Sequence, residues 1–270
     1  MGTPCHILVN GPRYRQRVDD QCLLFEPGPV TRITLNRPRA ANGLNAELGA
    51  ALVEAAQRCA SADVVLLTGA GRFFCAGGDL KEISAAPDPG GYVHRLAEDL
   101  HRALAIFAEM DAVLITVVNG VAAGAGFSLA VSGDLVLAAE SASFTMAYTR
   151  AGLSPDGGAS YLLPRLVGLR RTQELMLTNR TLTAAEAADW GLVTEVCDDP
   201  GARAEELAAQ LAAGSRTAQA SVKRLLAQAY ANDYRRQLAD EAAQIAANAN
   251  RPDGREGMDA FLNKREPRFS

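Results

Sequence analysis

Residues 112–132 read AVLITVVNGVAAGAGFSLAVS, a run without a single charge. It is long enough to cross a bilayer as a helix, so the way it divides decides the fold. Asn119-Gly120 falls in its middle, and Asn-Gly is a strong turn dipeptide. Val113–Val118, before the turn, is short and β-branched, as strands are. Gly124–Ala130, after it, is made of small residues and reads as a buried helix. The stretch is therefore expected to be strand, turn and helix inside a globular core, with no membrane span.

The same alternation extends outward in both directions. Val64–Thr68 (VVLLT) is a continuous apolar strand, followed by a Gly-rich loop from Gly69 to Gly78. Tyr92–Met110 places Leu96, Leu100, Leu104 and Phe107 at helical spacing, and Asn45–Cys59 does the same with Leu48, Leu52, Ala55 and Ala56. Residues 22–35 read as two strands around Pro27-Gly28. Asp134–Ala138, Ala142–Thr145 and Leu192–Val196 read as further strands, and Gly157–Leu166 and Thr172–Thr178 as helices. Thr183 and Glu186 have capping-box spacing. Continuous apolar strands alternating with helices predict an α/β fold with buried, partly parallel sheets. Beyond residue 200 three Ala-rich segments read as helix only. The expected organisation is an α/β core over 1–200 and a helical region over 201–270, whose wide Ala and Leu faces must pack on the core or on another subunit.

Composition narrows the function. The chain has 270 residues, 48% hydrophobic and 21% charged, with a net charge of −4. Such a balance is globular, and no overall basic field draws the chain to nucleic acid or to an anionic membrane. The five cysteines are scattered without C-x-x-C spacing. Neither a zinc site nor a disulfide framework is expected, and a reducing, cytoplasmic setting fits. The N-terminal MGTPCHILVNGPRYRQR lacks the basic-then-apolar order of a signal peptide.

Two segments carry the chemistry. Phe74-Cys75-Ala76-Gly77-Gly78-Asp79-Leu80-Lys81-Glu82 follows one apolar strand, and Asn119 to Ala130 contains the other. Each leads from strand through small residues into a helix start, where backbone N–H groups are unsatisfied. Two such N–H groups converging make an oxyanion hole. The bland alternative, that these are merely tight turns, holds for either loop alone.

Together the two loops resemble the paired signatures of the crotonase (enoyl-CoA hydratase/isomerase) superfamily, and the agreement runs from Asn36-Arg37-Pro38 to Phe261 and Lys264. The resemblance implies a spiral of ββα turns with a helical C-terminal trimerisation region, a homotrimer or dimer of trimers, and an acyl-CoA thioester substrate that brings its own coenzyme A, with no other cofactor and no metal. It implies that Gly78 and Ala125 supply the oxyanion N–H groups; family members usually carry Gly at the latter position. Backbone near Arg39, Ala40 and Gly43 and the loop of Ala76, Gly77, Asp79 and Leu80 would hold the adenine and pantetheine. Lys81 would face the phosphates. Phe261 and Lys264, from a neighbouring subunit, would close the nucleotide end.

The chain departs from the hydratase pattern where hydratases place two glutamates: here stand Ser128 and Tyr148. Neither is a carboxylate general base near neutral pH; both remain candidates for orienting substrate. The remaining acid is Asp156, in Leu153-Ser154-Pro155-Asp156-Gly157-Gly158. By position it is either a helix N-cap or the acid/base. Pro-Asp-Gly-Gly followed by Tyr161-Leu-Leu-Pro164-Arg165 resembles the ring-epoxide and enoyl-CoA isomerases of phenylacetate degradation, in which an aspartate is the single acid/base. An isomerase is thus expected ahead of a hydratase using a bound water, and ahead of a weak thioester-binding or RNA-binding relative. His6, His94 and His101 read as terminal or exposed. Asp79 is expected to tie down its loop, Cys75 to be a buried small hydrophobe, and helix 91–110 with Ser84–Gly91 to line the acyl pocket.

Overall fold

The computed structural model describes residues 21–269. The readings placed on the N-terminal stretch, including His6, lie outside the described residues. The described chain opens with an antiparallel hairpin, β1 (Leu23–Glu26) and β2 (Val30–Leu35), turned at Pro27-Gly28. After a 3-10 turn at Pro38–Ala40, α1 (Ala46–Arg58) starts on Asn45, whose side-chain oxygen accepts the Leu48 N–H.

A strand pair is then repeated three times. β3 (Val64–Gly69) and β4 (Phe73–Cys75) are followed by α2 (Leu80–Ala85) and α3 (Pro89–Glu109). β5 (Val113–Val118) and β6 (Val121–Ala123) are followed by α4 (Ala125–Ala130), and β7 (Leu135–Ala139) is followed by β8 (Ser143–Thr145). Next come α5 (Ala159–Leu166), α6 (Gly168–Thr178), β9 (Thr181–Thr183), α7 (Ala184–Asp189) and β10 (Glu195–Cys197). The chain finishes on α8 (Pro200–Ala212), α9 (Arg216–Gln228), α10 (Tyr234–Ala249) and α11 (Pro252–Leu262).

The first strand of each pair joins a six-stranded sheet in the order β1-β2-β3-β5-β7-β10. The second joins a four-stranded sheet in the order β4-β6-β8-β9. Each turn of chain thus adds one parallel strand to each sheet before a helix carries it onward, which makes the expected ββα spiral. The continuous apolar character of β5, buried at all six positions, follows from cover on both faces. On one side α1 and α3 bring Leu48, Leu52, Leu100 and Phe107 into the main core with Phe74 and Phe127. On the other, Ala204 and Ala208 of α8 pack on Val64, Leu66, Ile115 and Leu137.

Several details differ from the sequence reading. The Gly-rich stretch 69–78 contains β4, and the turn after Asn119 contains β6; each has three residues, too few to show a period. The helical region has four helices instead of three, because Pro252 starts a new one. Its first helix, α8, completes the six-stranded sheet's cover. The helix expected from Gly157 begins at Ala159, since Gly157 and Gly158 both take left-handed backbone (φ +62° and +73°). The last strand lies at Glu195–Cys197, later than 192–196. The Thr183–Glu186 capping box forms. Among the described residues no helix is long and apolar enough to cross a membrane.

Candidate active site

Strands β4 and β6 are parallel neighbours, so the segments leaving them run side by side. Their approach requires glycine at two points. A Cβ on Gly126 would lie 2.0 Å from the Cys75 carbonyl oxygen, and one on Gly77 (φ +93°) 2.8 Å from that of Ala123. Backbone groups around the junction are paired: Leu44 N–H donates to Gly77 O at 2.7 Å, Asp79 N–H to Leu44 O at 2.8 Å, and Gly124 N–H to Thr145 O at 3.0 Å. The N–H groups of Gly78 and Ala125 have no acceptor among the described residues, and both residues line one cavity of about 380 Å³. Two unpaired donors on a shared cavity can stabilise negative charge developing on a substrate oxygen. At Ala125 the donor is backbone, so it is presented as glycine would present it.

The remaining wall is mainly apolar: Ile83 from α2, Val93, Leu96, Ala97 and Leu100 from α3, and Leu153. Helix 91–110, expected to line the acyl pocket, thus lines this cavity, whereas only Gly90 of Ser84–Gly91 does. His94 also lines the cavity, with its side chain 75% exposed and 3.5 Å from Glu98. Asp156 is the carboxylate on the wall. It does not cap α5: the N-cap is Gly158, and no side chain accepts the first-turn N–H groups. The capping alternative is thus set aside. The Asp156 carboxylate instead accepts a short hydrogen bond from the Tyr148 hydroxyl.

Tyr148 lines the cavity too, and burial, followed by the charge of Asp156, pushes its phenol far above the usual range. It remains a donor, never a base, throughout the working pH range. Ser128 is fully buried, and its hydroxyl donates to the Asp156 carbonyl at 2.9 Å and lies 3.3 Å from the Tyr148 hydroxyl. It does not line the cavity, so its expected role in orienting substrate gives way to one of holding the Asp156 segment. Sequence reading missed His101, whose Nε2 accepts the Gly157 N–H at 3.0 Å. The available signal was helical spacing: His94, Ala97 and His101 form a stripe beside Leu96 and Leu100.

Other expectations resolve one by one. Asp79 caps α2, accepting from Lys81 N–H at 3.2 Å, and pairs with the Arg37 guanidinium at 3.1 Å. Arg37 also donates to the Gly43 carbonyl and lies 3.0 Å from Glu82, tying the turn after Pro38 to the segment after β4. Gly43 abuts that loop, since a Cβ there would lie 3.6 Å from Gly77 O. Ala76, Gly77 and Leu80 line the cavity. Arg39, Ala40 and Lys81 are exposed outside it. Phe261 is 84% exposed at the end of α11, with Lys264 exposed just beyond; this chain does not bring them to its own cavity. Burial pushes the Cys75 thiol up to about 12, consistent with a hydrophobe rather than a nucleophile. Among the described residues no cluster of three or more His, Cys, Asp or Glu could hold a metal.

Comparison with known proteins agrees with this fold. The chain is 40% identical to the 1,2-epoxyphenylacetyl-CoA isomerase of Escherichia coli, over 91% of this chain and 96% of the relative. A crystal structure of an enoyl-CoA hydratase from Polaromonas sp. JS666 superposes with a TM-score of 0.87 at 35% identity, covering 92% of this chain and 99% of that one. A putative enoyl-CoA hydratase from Thermobifida fusca YX, solved in complex with acetoacetyl-CoA, superposes with a TM-score of 0.78 at 32% identity, covering 84% and 94%. The profile of the enoyl-CoA hydratase/isomerase family matches residues 26–270, and the chain belongs to that family.

Proposed function

We propose that the chain is an acyl-CoA isomerase in which Asp156 is the single acid/base. The observation that carries this reading is the make-up of the site: one carboxylate and two unpaired backbone N–H groups on a shared cavity, with serine and tyrosine at the positions where the hydratase pattern has glutamates. The Asp156 carboxylate takes a proton from the carbon α to the thioester of a β,γ-enoyl-CoA. Charge moves to the thioester oxygen, held by Gly78 and Ala125. The same carboxyl group then returns the proton at the γ carbon, leaving the conjugated α,β-enoyl-CoA. The Tyr148 phenol steadies the carboxylate and the apolar wall from α3 keeps water from the dienolate. Hydration, by contrast, asks for one group to activate water and another to deliver a proton. A ring epoxide of the kind named for the E. coli relative is a second substrate for the same site.

We place coenzyme A along Ala76–Lys81 and the turn at Arg39, Ala40 and Gly43, with Phe261 and Lys264 supplied by a neighbouring copy in a homotrimer or dimer of trimers. Incubating the protein with β,γ- and with α,β-enoyl-CoA, and following conjugated-thioester absorbance, tests the reading. A rise with the β,γ ester and little hydration of the α,β ester is expected. Fast hydration of crotonyl-CoA, on the order of 10–10³ s⁻¹, would instead make the chain a hydratase.

A further inference from the structure

The segment that carries Asp156 has little regular structure to hold it. Residues 153–156 belong to neither helix nor strand, and Gly152, Gly157 and Gly158 all take left-handed backbone. Yet the peptide unit joining Asp156 to Gly157 is bound at both ends. Its carbonyl oxygen accepts from the Ser128 hydroxyl at 2.9 Å and from the Ala159 N–H at 3.3 Å. Its N–H donates to His101 Nε2 at 3.0 Å. Ser128 comes from α4 and His101 from α3, so two separate helices grip one peptide plane. The fit admits no side chain at 157, where a Cβ would lie 2.6 Å from Ser128 Cβ.

A peptide unit is a rigid plane, and its orientation is set by the two soft torsions that flank it. With glycine on one side, turning that plane costs little. Turning it also re-aims the Asp156 side chain, because the carboxylate hangs from the Cα at the plane's edge. A hydrogen bond at one end leaves the plane free to tilt about that end; bonds at both ends fix it. We propose that His101 is a positioning residue which, with Ser128, locks the Asp156–Gly157 peptide and so fixes where the Asp156 carboxylate meets the substrate. This rests on the role proposed for Asp156 and adds a residue that acts only through it.

Nε2 acts here as an acceptor. Glutamine places its side-chain oxygen near the same point and can replace it; leucine cannot. His101 is exposed, so neither variant threatens the core. His101→Leu is expected to lower kcat on the order of 10- to 100-fold, the scale of a reacting group displaced by about 1 Å, with KM unchanged, and His101→Gln to recover most of the rate. Hydrogen exchange at the Gly157 amide, followed by NMR without substrate, provides a readout independent of turnover. It should quicken in His101→Leu and stay slow in His101→Gln. A Gly157 amide that exchanges equally in wild type and His101→Leu, or a His101→Leu variant with wild-type kcat, overturns the inference. A wild type that does not isomerise enoyl-CoA overturns the proposed function instead, so the two failures are read separately.

Discussion

At the scale of single residues, the site depends on groups whose roles change with small shifts of backbone. Asp156 is adjacent enough to a helix to be its cap, and only the two left-handed glycines after it move the helix start to Ala159 and free the carboxylate for Tyr148. In a Tyr148→Phe background, where no hydroxyl loses its acceptor, Asp156→Ala should therefore melt together with Asp156→Asn in a thermal scan, without the loss of about 1 kcal/mol that removing a real N-cap brings; a clear deficit in the alanine variant alone would restore the cap. Cys75 gives a second prediction at this scale. With its thiol at about 12, burial has raised the folded-state value, so the thiolate appears only at strongly alkaline pH. At pH 8 its ionised fraction is roughly one in 10⁴, and iodoacetamide should leave it unmodified in the native protein while activity persists. Inactivation that tracks Cys75 labelling would contradict this. Gly78 and Ala125 were named only through the resemblance of the two loops to a known family, because small residues between strand and helix read equally well as tight turns. The Tyr148–Asp156 contact was not, because it joins residues eight apart across a turn whose path depends on left-handed glycines.

At the scale of elements, long periodic segments were legible and short ones were not. The apolar β3 and β5 and the amphipathic α1 and α3 carry enough residues to show their period. β4 and β6 have three residues each and are held in place by neighbours, so these two strands of the second sheet, which align the loops of Gly78 and Ala125, were not read, although β8 of the same sheet was. Tertiary ties between elements were equally hidden. Lys223 on α9 donates to the carbonyls of Phe107 and Ala112, both at 2.8 Å, and pairs with Asp134 at 2.8 Å, with only 10% of its side chain exposed. It joins the C-terminal helices to the end of α3 and the start of β5. Lys223→Ala leaves two carbonyls and a carboxylate short of a partner and should lower stability by about 3 kcal/mol or more, as breaking a mostly buried ion pair does. Urea denaturation checks it; a change near zero would show that Lys223 does not hold α9 to the core.

At the scale of the whole molecule, α8 completes the core, whereas α9, α10 and α11 leave much apolar surface uncovered. Leu226, Tyr230, Tyr234, Ile245, Phe261 and Leu262 are all exposed, Phe261 the most at 84%. Monomers seldom expose so many large apolar side chains in one region of the chain. Light scattering at micromolar concentration should return three chains or a multiple of three, and a stable single chain would contradict the assembly proposed above. The wide Ala and Leu faces foreshadowed this in the sequence, but only the structure shows which helix the core uses and which it leaves over. The groups proposed for the chemistry lie within one chain: two backbone donors, an apolar wall from α3 and one carboxylate. Its chemistry is tested most directly by the rate at which a β,γ-enoyl-CoA becomes the conjugated ester with wild type and with Asp156→Asn. The variant keeps the shape and the oxyanion donors but cannot take the proton, so its rate should fall ~10²–10⁴-fold while affinity for the CoA ester persists. Near wild-type turnover in Asp156→Asn would contradict a mechanism carried by this one carboxylate.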